Sequence, residues 1–513
     1  MSGGQLEPAP KRPRTRTIVG TAVSGAVVVA LVAALTVLPT ERLRTDAPAV
    51  SSAEVTQKVS PRQIDMVCPS RMALADTASY GDKEFQASEG DLASSARFAA
   101  FGSVFHSQVS ALEDTNAIDA TVLSGPQDED GGQSALVAAS DDAKEPLLFD
   151  TRVLKAQQGT GATGTVASWA TKGDMPGIAA SGCVPTALSQ SFLVPSTQTG
   201  NTQQLVLSNP TDKSTSVELT VRDADGKDVA LATNSTIAVA ANGQASVMLQ
   251  AGAPDRKALY VTVTSEGTPV GAVVKSVSID GLTPKGNDYI MPAGAAATEQ
   301  AMPLASDGSV TLMGTAAQDT KAEVSWMTDH GLVKAQDITL KAGQVTQVDL
   351  KDRPDEAAAL FVQSESPCTL AMRTRVDGKD GHSDFAWAQG SAPYAQSALA
   401  IAPGTTARLS LANLSSAKVD VTLRGYDAKG NMTGTKEVGL DASSAVALDA
   451  SSLGKDTVAI DTDHDGKDLV WGAYLGVKAV TDAGAAAVAY SPASSLAVPQ
   501  VTVAARQDAS IVR

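Results

Sequence analysis

The chain has 513 residues, more than one hydrophobic core can organise, so we expect about three to five domains. Hydrophobic residues make up 43% of the sequence, which excludes a wholly disordered protein. Aromatic residues make up only 4%, so small and β-branched side chains must fill the cores, which favours sheets. The formal net charge of −16 argues against nucleic-acid binding, since phosphates are bound by basic surfaces.

The N-terminus has the pattern of a membrane anchor. Residues 1–16 form a polar tail with four basic residues between positions 11 and 16, and residues 17–38 contain no charged residue. A helix needs about 20 apolar residues to cross the ~30 Å hydrocarbon layer. Because basic residues mark the cytoplasmic side, we predict a single-pass helix over residues 17–38, with the basic tail inside the cell and the bulk of the chain outside. The membrane is then one partner of the protein.

Cleavage of this segment as a signal peptide is the alternative. Ala47-Pro48-Ala49 has the small-x-small form of a cleavage site. It lies well beyond the apolar segment, however, and that segment is longer than a typical signal-peptide core. In either case the rest of the protein is exported. Residues 39–61, rich in Ala, Ser, Thr and Pro, are predicted to form a flexible stalk.

Residues 62–200 are predicted to form a divergent, mostly-β N-terminal extracytoplasmic domain. Short alternating runs favour strands, whereas residues 92–112 fit either a helix or a strand. Cys68 lies near the start of this region and Cys183 near its end. In an oxidising compartment they are the natural disulfide pair, and closing so long a loop is worth ~4–5 kcal/mol in the chain-entropy treatment. Two buried free thiols are the alternative.

The stretch Leu205-Val206-Leu207-Ser208-Asn209-Pro210 opens a pattern that occurs three times. The pattern consists of an alternating run, a polar turn, a second alternating run and a glycine-containing turn. It begins at Leu205 and recurs at Val310 and Leu409. Further short strands follow in each copy at similar spacing. The predicted repeats are residues 201–303, 304–403 and 404–513.

The spacing within each copy indicates the fold class. About seven short strands per ~100 residues, separated by turns, are typical of an immunoglobulin-like sandwich. Each copy is long enough to bury its own core, which indicates tandem domains rather than a solenoid. Long helical periodicities do not separate the strands, which argues against a parallel α/β sheet. The predicted fold class is therefore all-β, with tandem immunoglobulin-like β-sandwich domains after a single N-terminal transmembrane helix.

The strongest metal motif is Asp461-Thr462-Asp463-His464-Asp465-Gly466. Aspartates at positions one, three and five before a glycine are how a calcium loop begins, so Asp461, Asp463 and Asp465 are candidate Ca²⁺ ligands. Position twelve, where calcium loops carry a bidentate Glu, is Gly472, and predicted strands rather than helices flank the motif. A plain hairpin turn is the alternative, and no other cofactor is predicted.

No catalytic constellation stands out in the sequence. The histidines are scattered without metal-ligand spacing, and His382-Ser383-Asp384 contains triad residue types that, as neighbours on one strand or loop, do not converge. We therefore predict no enzymatic activity. Trp326 and the odd Cys368 are expected to be buried. Trp471 and Tyr474 lie on opposite faces of one strand, so at least one of them is expected at the surface.

Five features of the chain occur together: the basic tail, the apolar span, Cys68-Pro69, Cys183, and the strand that ends in Asn209-Pro210. In this combination the chain resembles a family of exported actinobacterial proteins known only as a domain of unknown function. Where members of that family have Trp-x-Val-x-Gly after the second Cys, this chain has Ser191-Phe192-Leu193-Val194-Pro195. The resemblance implies a location in the cell envelope and supplies no catalytic residue.

Two functions are consistent with these patterns. The first is a membrane-anchored structural or interaction protein of the cell envelope, whose partner is another envelope protein met through strand edges or loops. The second is a polysaccharide- or peptidoglycan-binding or -processing envelope protein with its site in residues 62–200. A pocket that holds two carboxylates near an aromatic side chain would favour the second function.

Overall fold

The computed structural model describes residues 55–60, 62–75, 86–114, 117–126, 134–464, 466, 468–498 and 501–505, with the backbone alone at 55–59 and 501–505. The predicted cytoplasmic tail, the predicted anchor and the small-x-small pattern at Ala47-Pro48-Ala49 lie outside these residues. Within them, no helix combines the length and the apolar character needed to cross a membrane.

The chain divides into two compact units, one made of residues 1–59 and 501–513 and the other of residues 60–500. In the first unit, strand β1 (Val55–Val59) pairs antiparallel with Val501–Ala505. The predicted flexible stalk over residues 39–61 is therefore wrong for residues 55–59, because the two strands there satisfy each other's backbone hydrogen bonds.

The second unit contains four copies of one two-sheet module, numbered here from 1 to 4. Module 1 (residues 62–185) contains β2 (Gln63–Cys68), β3 (Ala93–Phe101), β4 (Val104–Ala111), β5 (Thr121–Val122), β6 (Leu136–Ser140), β7 (Leu147–Val153), β8 (Gly161–Ala170), β9 (Gly177–Gly182) and β10 (Val184–Pro185). Module 2 (residues 189–290) contains β11 (Ser189–Val194), β12 (Asn201–Asn209), β13 (Thr215–Asp223), β14 (Thr236–Val239), β15 (Gly243–Met248), helix α1 (Leu249–Gly252), β16 (Leu259–Ser265), β17 (Gly271–Asp280) and β18 (Thr283–Ile290).

The two remaining modules follow the same plan. Module 3 (residues 297–389) contains β19 (Ala297–Pro303), β20 (Ser309–Ala316), β21 (Thr320–Thr328), β22 (Gly331–Leu340), β23 (Thr346–Leu350), β24 (Ala359–Asp377) and β25 (Ser383–Gln389). Module 4 (residues 397–495) contains β26 (Ser397–Ala400), β27 (Thr406–Asn413), β28 (Val419–Tyr426), β29 (Met432–Leu440), β30 (Ala445–Asp449), a 3₁₀ turn (Ala450–Leu453), β31 (Ala459–Asp463), β32 (Leu469–Gly476), α2 (Lys478–Asp482), β33 (Ala489–Pro492) and β34 (Ser494–Ser495). Strand β35 (Val501–Ala505) is the partner of β1.

Each module has two antiparallel sheets with one recurring strand order. In module 2 the first sheet runs β11-β16-β13-β14 and the second runs β15-β12-β17-β18. Modules 1 and 4 repeat this order with a two-residue strand added at the edge of the first sheet, β10 beside β2 and β34 beside β26. In module 3 the long strand β24 takes the place of two strands. Its first half pairs with β19 and β21, and its second half pairs with β20 and β25.

Alternation along the strands produces the core of each sandwich. In β13, Val217, Leu219 and Val221 are buried. They belong to one apolar cluster with Leu205 and Leu207 of the opposite sheet. Burying a Val or Leu side chain is worth about 1.5–3 kcal/mol. A one-residue slip of register would expose all of β13's apolar side chains, so the pattern selects one register.

The module boundaries differ from the predicted repeats by one strand each time. Strands β11, β19 and β26 fall at the ends of the predicted domains 62–200, 201–303 and 304–403. Each of them pairs instead with a strand of the following module. The repeated sequence pattern begins in the second strand of a module, so an alignment that starts there assigns every first strand to the preceding domain.

Module 1 is a fourth copy of the same architecture, although its sequence pattern looks divergent. Residues 92–112, which fit a helix or a strand by sequence, contain β3 and β4. Strand β5 has only two residues, and a long connection separates β2 from β3. These differences change the spacing between apolar runs, and the copy is therefore not visible in the sequence.

The turn that begins with an asparagine in modules 2 and 4 has a structural role. The buried side chain of Asn209 donates to the backbone carbonyls of Lys213 and Ala240, at 2.7 and 3.0 Å, and thereby ties two connections together. Asn413 does the same in module 4, where it donates to the carbonyls of Ala417 and Asp441.

The last strands of the four second sheets meet at the centre of the second unit. Strand β9 contacts β18, β18 contacts β25, β25 contacts β33, and β33 contacts β9. We call this closed ring of β9, β18, β25 and β33 the hub. Nearly all residues of the four hub strands are therefore buried, including those on the face turned away from their own sandwich.

Candidate functional site

One buried carboxyl group joins all four modules. Asp384 lies in β25 of module 3 and has no solvent-exposed surface. Its Oδ2 accepts hydrogen bonds from the N–H of Ile178 in module 1 at 2.9 Å and of Val488 in module 4 at 3.1 Å. Its Oδ1 accepts from the N–H of Asn287 in module 2 at 3.3 Å. The three donors come from three different modules.

A second carboxyl group reinforces the hub. Asp288 in β18 is also fully buried. Its Oδ1 accepts from the N–H of Ala180 in module 1 at 3.0 Å, and its Oδ2 accepts from the N–H of Trp387 in module 3 at 2.8 Å. Asp288 thus ties module 2 to both of its neighbours.

Two glycines make room for Asp384. Gly177 and Gly286 have φ angles of 136° and 115°, in the left-handed region that favours glycine. A Cβ atom on Gly177 would lie 2.7 Å from the Cγ of Asp384, and one on Gly286 would lie 2.8 Å from its Cα. The close approach of three strands at this point therefore depends on the absence of side chains from two of them.

The environment of the two carboxyl groups changes their acidity. Burial raises the pKa of Asp384 to about 8, against the opposing effect of its N–H donors. Burial also raises the pKa of Asp288 well above its usual range, and the nearby charge of Asp384 adds to this. Carboxyl pairs with raised pKa values occur at many catalytic sites. Here both groups are sealed from solvent and bind backbone donors, so their geometry suits the joining of modules.

A cavity of about 550 Å³ lies where the hub strands end. Its walls include residues that follow each of the four hub strands, among them Pro185, Met291, Ser391 and Ala493. The volume is within the range of small-molecule sites, roughly 300–1,000 Å³. Modules 1, 3 and 4 and the segment that follows module 2 all contribute to its wall.

The cavity wall is mostly apolar but contains buried polar groups. Trp387, Tyr394 and Tyr490 supply aromatic surface. Within the described part of the chain, the indole N–H of Trp387 and both amide atoms of Gln389 are buried and have no hydrogen-bond partner. No charged side chain is among the described residues that line the cavity. These polar atoms have almost no accessible surface, so the surface that the cavity presents is mostly apolar.

A disulfide supports one wall of this cavity. Cys68, at the end of β2, is bonded to Cys183, which lies between β9 and β10 and is 115 residues away in sequence. Strand β10 pairs with β2, with Val184 opposite Val67. Cys183 itself lines the cavity. The bond therefore fixes the end of a hub strand to the first strand of module 1.

The candidate calcium ligands form an ion-pair cluster. Asp461 and Asp463 lie two residues apart on β31 and face Arg424, which donates from Nε to Asp461 and from Nη1 to Asp463, both at 2.9 Å. Tyr426 donates to Asp461, and Gln396 donates to Asp463. Asp465 lies outside the described residues. A calcium ion would have to displace the guanidinium of Arg424, and the described residues contain no group of three metal-binding side chains.

A larger cleft of about 870 Å³ lies between modules 3 and 4. It brings the carboxylates of Asp377 and Asp449 into one cleft with Tyr474, the combination expected of a polysaccharide site, but outside residues 62–200. Asp449 pairs with Arg408 in the same cleft, and both side chains are well exposed. Asp377 is also exposed and pairs with Arg375.

Other residues singled out by sequence have structural positions. Trp326 and Cys368 are each 1% exposed, as expected. Trp471 and Tyr474 are both buried, so the prediction that one of them reaches the surface is wrong. The second face of β32 packs against module 3, where the hydroxyl of Tyr474 donates to the carbonyl of Pro303 at 2.8 Å.

A solved structure that is similar to this chain is too distant to show its fold. The α-L-rhamnosidase of Streptomyces avermitilis in complex with L-rhamnose is 12% identical, over 74% of this chain and 54% of the enzyme, with a TM-score of 0.11. This chain thus spans about half the length of that structure, and so low a TM-score carries no argument. No curated protein matches the chain.

A family match covers most of the modular body. Residues 137–451 match the profile described as Family of unknown function (DUF5719). The matched range starts in β6 of module 1, ends in module 4, and includes both hub aspartates. The resemblance to a family of unknown function is confirmed, and the chain belongs to DUF5719.

Proposed function

We propose that the protein is a membrane-anchored, extracytoplasmic structural or interaction protein of the cell envelope, built from immunoglobulin-like modules. The hub is the observation that carries the proposal. Domains joined by linkers usually move relative to one another. Here Asp384 and Asp288 bind the backbone of neighbouring modules, which suits a body that holds its loops and strand edges at fixed spacing.

The disulfide supports an extracytoplasmic location. Disulfides persist in oxidising compartments and are rare in the cytosol. The bond between Cys68 and Cys183 lies in module 1, which follows the apolar segment 17–38 predicted as the anchor. That segment spans the membrane, and the acidic body is outside the cell.

A fractionation experiment tests the location. The full chain and a variant without residues 17–38 are expressed in a bacterial host, and intact cells are treated with external protease. We expect the full chain to sediment with membranes, to be digested from outside and to contain oxidised Cys68 and Cys183. The deletion variant should remain in the cytosol with reduced thiols. Recovery of the full chain in the soluble cytosolic fraction would refute the proposal.

The partner is another envelope protein, which binds to strand edges or inter-strand loops. Cross-linking of the full chain in intact cells, followed by purification, should recover one envelope protein well above an anchor-only control made of residues 1–61. Equal recovery from both baits would count against an interaction role. A glycan array and polysaccharide hydrolysis assays on the same protein separate this proposal from a glycan-directed one.

A further inference from the structure

The cavity at the end of the hub is built by three modules and by the segment that follows module 2, which are far apart in sequence. Met66 and Cys183 come from module 1, Met291 follows module 2, Trp387 belongs to module 3, and Tyr490 to module 4. A cavity assembled this way exists only when the ring of modules is closed. It is therefore a property of the whole body rather than of one sandwich.

The side chains of Trp387 and Gln389 present their apolar parts to the cavity. Trp387 is 4% exposed, and its Nε1 and both amide atoms of Gln389 are buried without a hydrogen-bond partner in the described part of the protein. These three atoms have almost no accessible surface, so the cavity borders the aromatic and aliphatic parts of the two side chains. The wall therefore favours an apolar ligand.

The charge of the wall restricts the ligand further. None of the described lining residues is Asp, Glu, Lys, Arg or His. A charged ligand would lose its hydration in this cavity without gaining a counter-charge, which is strongly unfavourable. The methionine, proline and aromatic side chains of the wall suit an apolar body.

We propose that this cavity binds an uncharged, largely apolar small molecule, which packs against the side chains of Trp387, Tyr394 and Tyr490. This site goes beyond the structural and interaction role proposed above, because it concerns a small ligand rather than a protein partner. It lies mainly outside residues 62–200, the region to which the sequence assigned an alternative ligand site.

Binding of the neutral fluorescent ketone Prodan tests the proposal. The full chain is placed in lipid nanodiscs, empty nanodiscs serve as the blank, and bound dye is measured by equilibrium dialysis. Ala295 and Ala392 line the cavity and are exposed, so Ala295→Trp and Ala392→Trp fill its mouth without disturbing a core. Ala241→Trp, at an exposed turn of module 2 outside the cavity, is the matched control. Thermal unfolding followed by circular dichroism shows that each variant is folded.

The expected result is saturable Prodan binding that both mouth variants abolish and Ala241→Trp leaves unchanged. The anionic dye 1-anilinonaphthalene-8-sulfonate should not compete.

Three results would overturn the proposal. The first is a lack of saturable Prodan binding to the native chain. The second is equal binding by the native chain and both mouth variants. The third is competition by the anionic dye as strong as that by unlabelled Prodan.

Discussion

Two pairs of aspartates in this protein show how differently carboxyl groups are stabilised. Asp461 and Asp463 lie within one strand of module 4 and bind the guanidinium of Arg424. Asp288 and Asp384 lie in different modules and accept backbone N–H groups from their neighbours. The first pair stabilises a single sheet, whereas the second holds the modules together.

The comparison also shows that the residues in the recognisable sequence motif are not the ones that hold the modules together. The pair in module 4 belongs to an Asp-x-Asp-x-Asp-Gly motif that attracts a metal hypothesis, yet its partners are protein side chains. Asp288 belongs to no sequence motif, and Asp384 was noted only for the triad residue types in His382-Ser383-Asp384. For Asp384, the signal available in the sequence was a single charged residue in the mostly apolar strand β25, where an unpaired carboxylate would be costly.

The largest expected effect comes from removing the carboxyl group of Asp384. The change Asp384→Ala leaves three buried N–H groups without an acceptor, and each such group costs roughly 1–3 kcal/mol. We expect the free energy of unfolding to fall by about 4 kcal/mol in urea titrations followed by circular dichroism. Asp384→Asn retains one acceptor oxygen and should lose less. An unchanged midpoint for Asp384→Ala would show that the hub does not depend on this group.

The Arg424 cluster should show a somewhat smaller effect. Arg424→Met leaves the carboxylate of Asp461, whose side chain is 7% exposed, without its counter-charge. Breaking a buried pair in this way typically costs ~3 kcal/mol. Calcium titration by calorimetry should give no heat of binding with the native protein, because the guanidinium holds the carboxylates. Millimolar or tighter Ca²⁺ binding to the native protein would contradict the ion-pair interpretation.

The hub should also make stability depend on pH. Burial raises the pKa of Asp384 to about 8 from 3.8, so between these values the folded protein holds a proton that the unfolded chain has released. Its contribution to stability is full below pH ~4 and is lost as the pH rises through about 8. Asp288 acts in the same direction.

Urea midpoints measured from pH 5.5 to 8.5 check this dependence. The midpoint should fall more steeply with pH in the native protein than in Asp384→Asn, which cannot titrate at that position. Parallel curves for the two proteins would mean that Asp384 is ionised throughout.

The smallest effect is expected for an exposed ion pair. The side chains of Arg408 and Asp449 are 45% and 66% exposed, and their atoms lie 3.1 Å apart. Arg408→Met should change the free energy of unfolding by no more than about 0.5 kcal/mol. This variant is the control for Arg424→Met, and an equal loss in both would remove the distinction between buried and exposed pairs.

The modules show which parts of the fold could be predicted from the sequence and which could not. Alternation around Leu205, Val310 and Leu409 was enough to find three sandwiches, because a half-buried strand imposes a period of two on its side chains. The same reasoning missed the fourth copy in residues 62–185, where β5 has two residues and the connections are longer. It also misplaced each module's first strand, since pairing with a distant strand leaves no mark on local spacing.

The sequence by itself determined the all-β class and the repeat, because the periodicity of side chains along a strand is a local property. It also identified Cys68 and Cys183 as the natural disulfide pair, because they lie near the two ends of one predicted domain in an exported chain. Only the tertiary structure decided how the four modules join. The hub and its cavity arise from strands roughly a hundred residues apart in the chain, and the donors to Asp384 are backbone N–H groups, which every non-proline residue has. No pattern of side chains in the sequence predicts which backbone N–H groups will be these donors. Their position follows from folding alone.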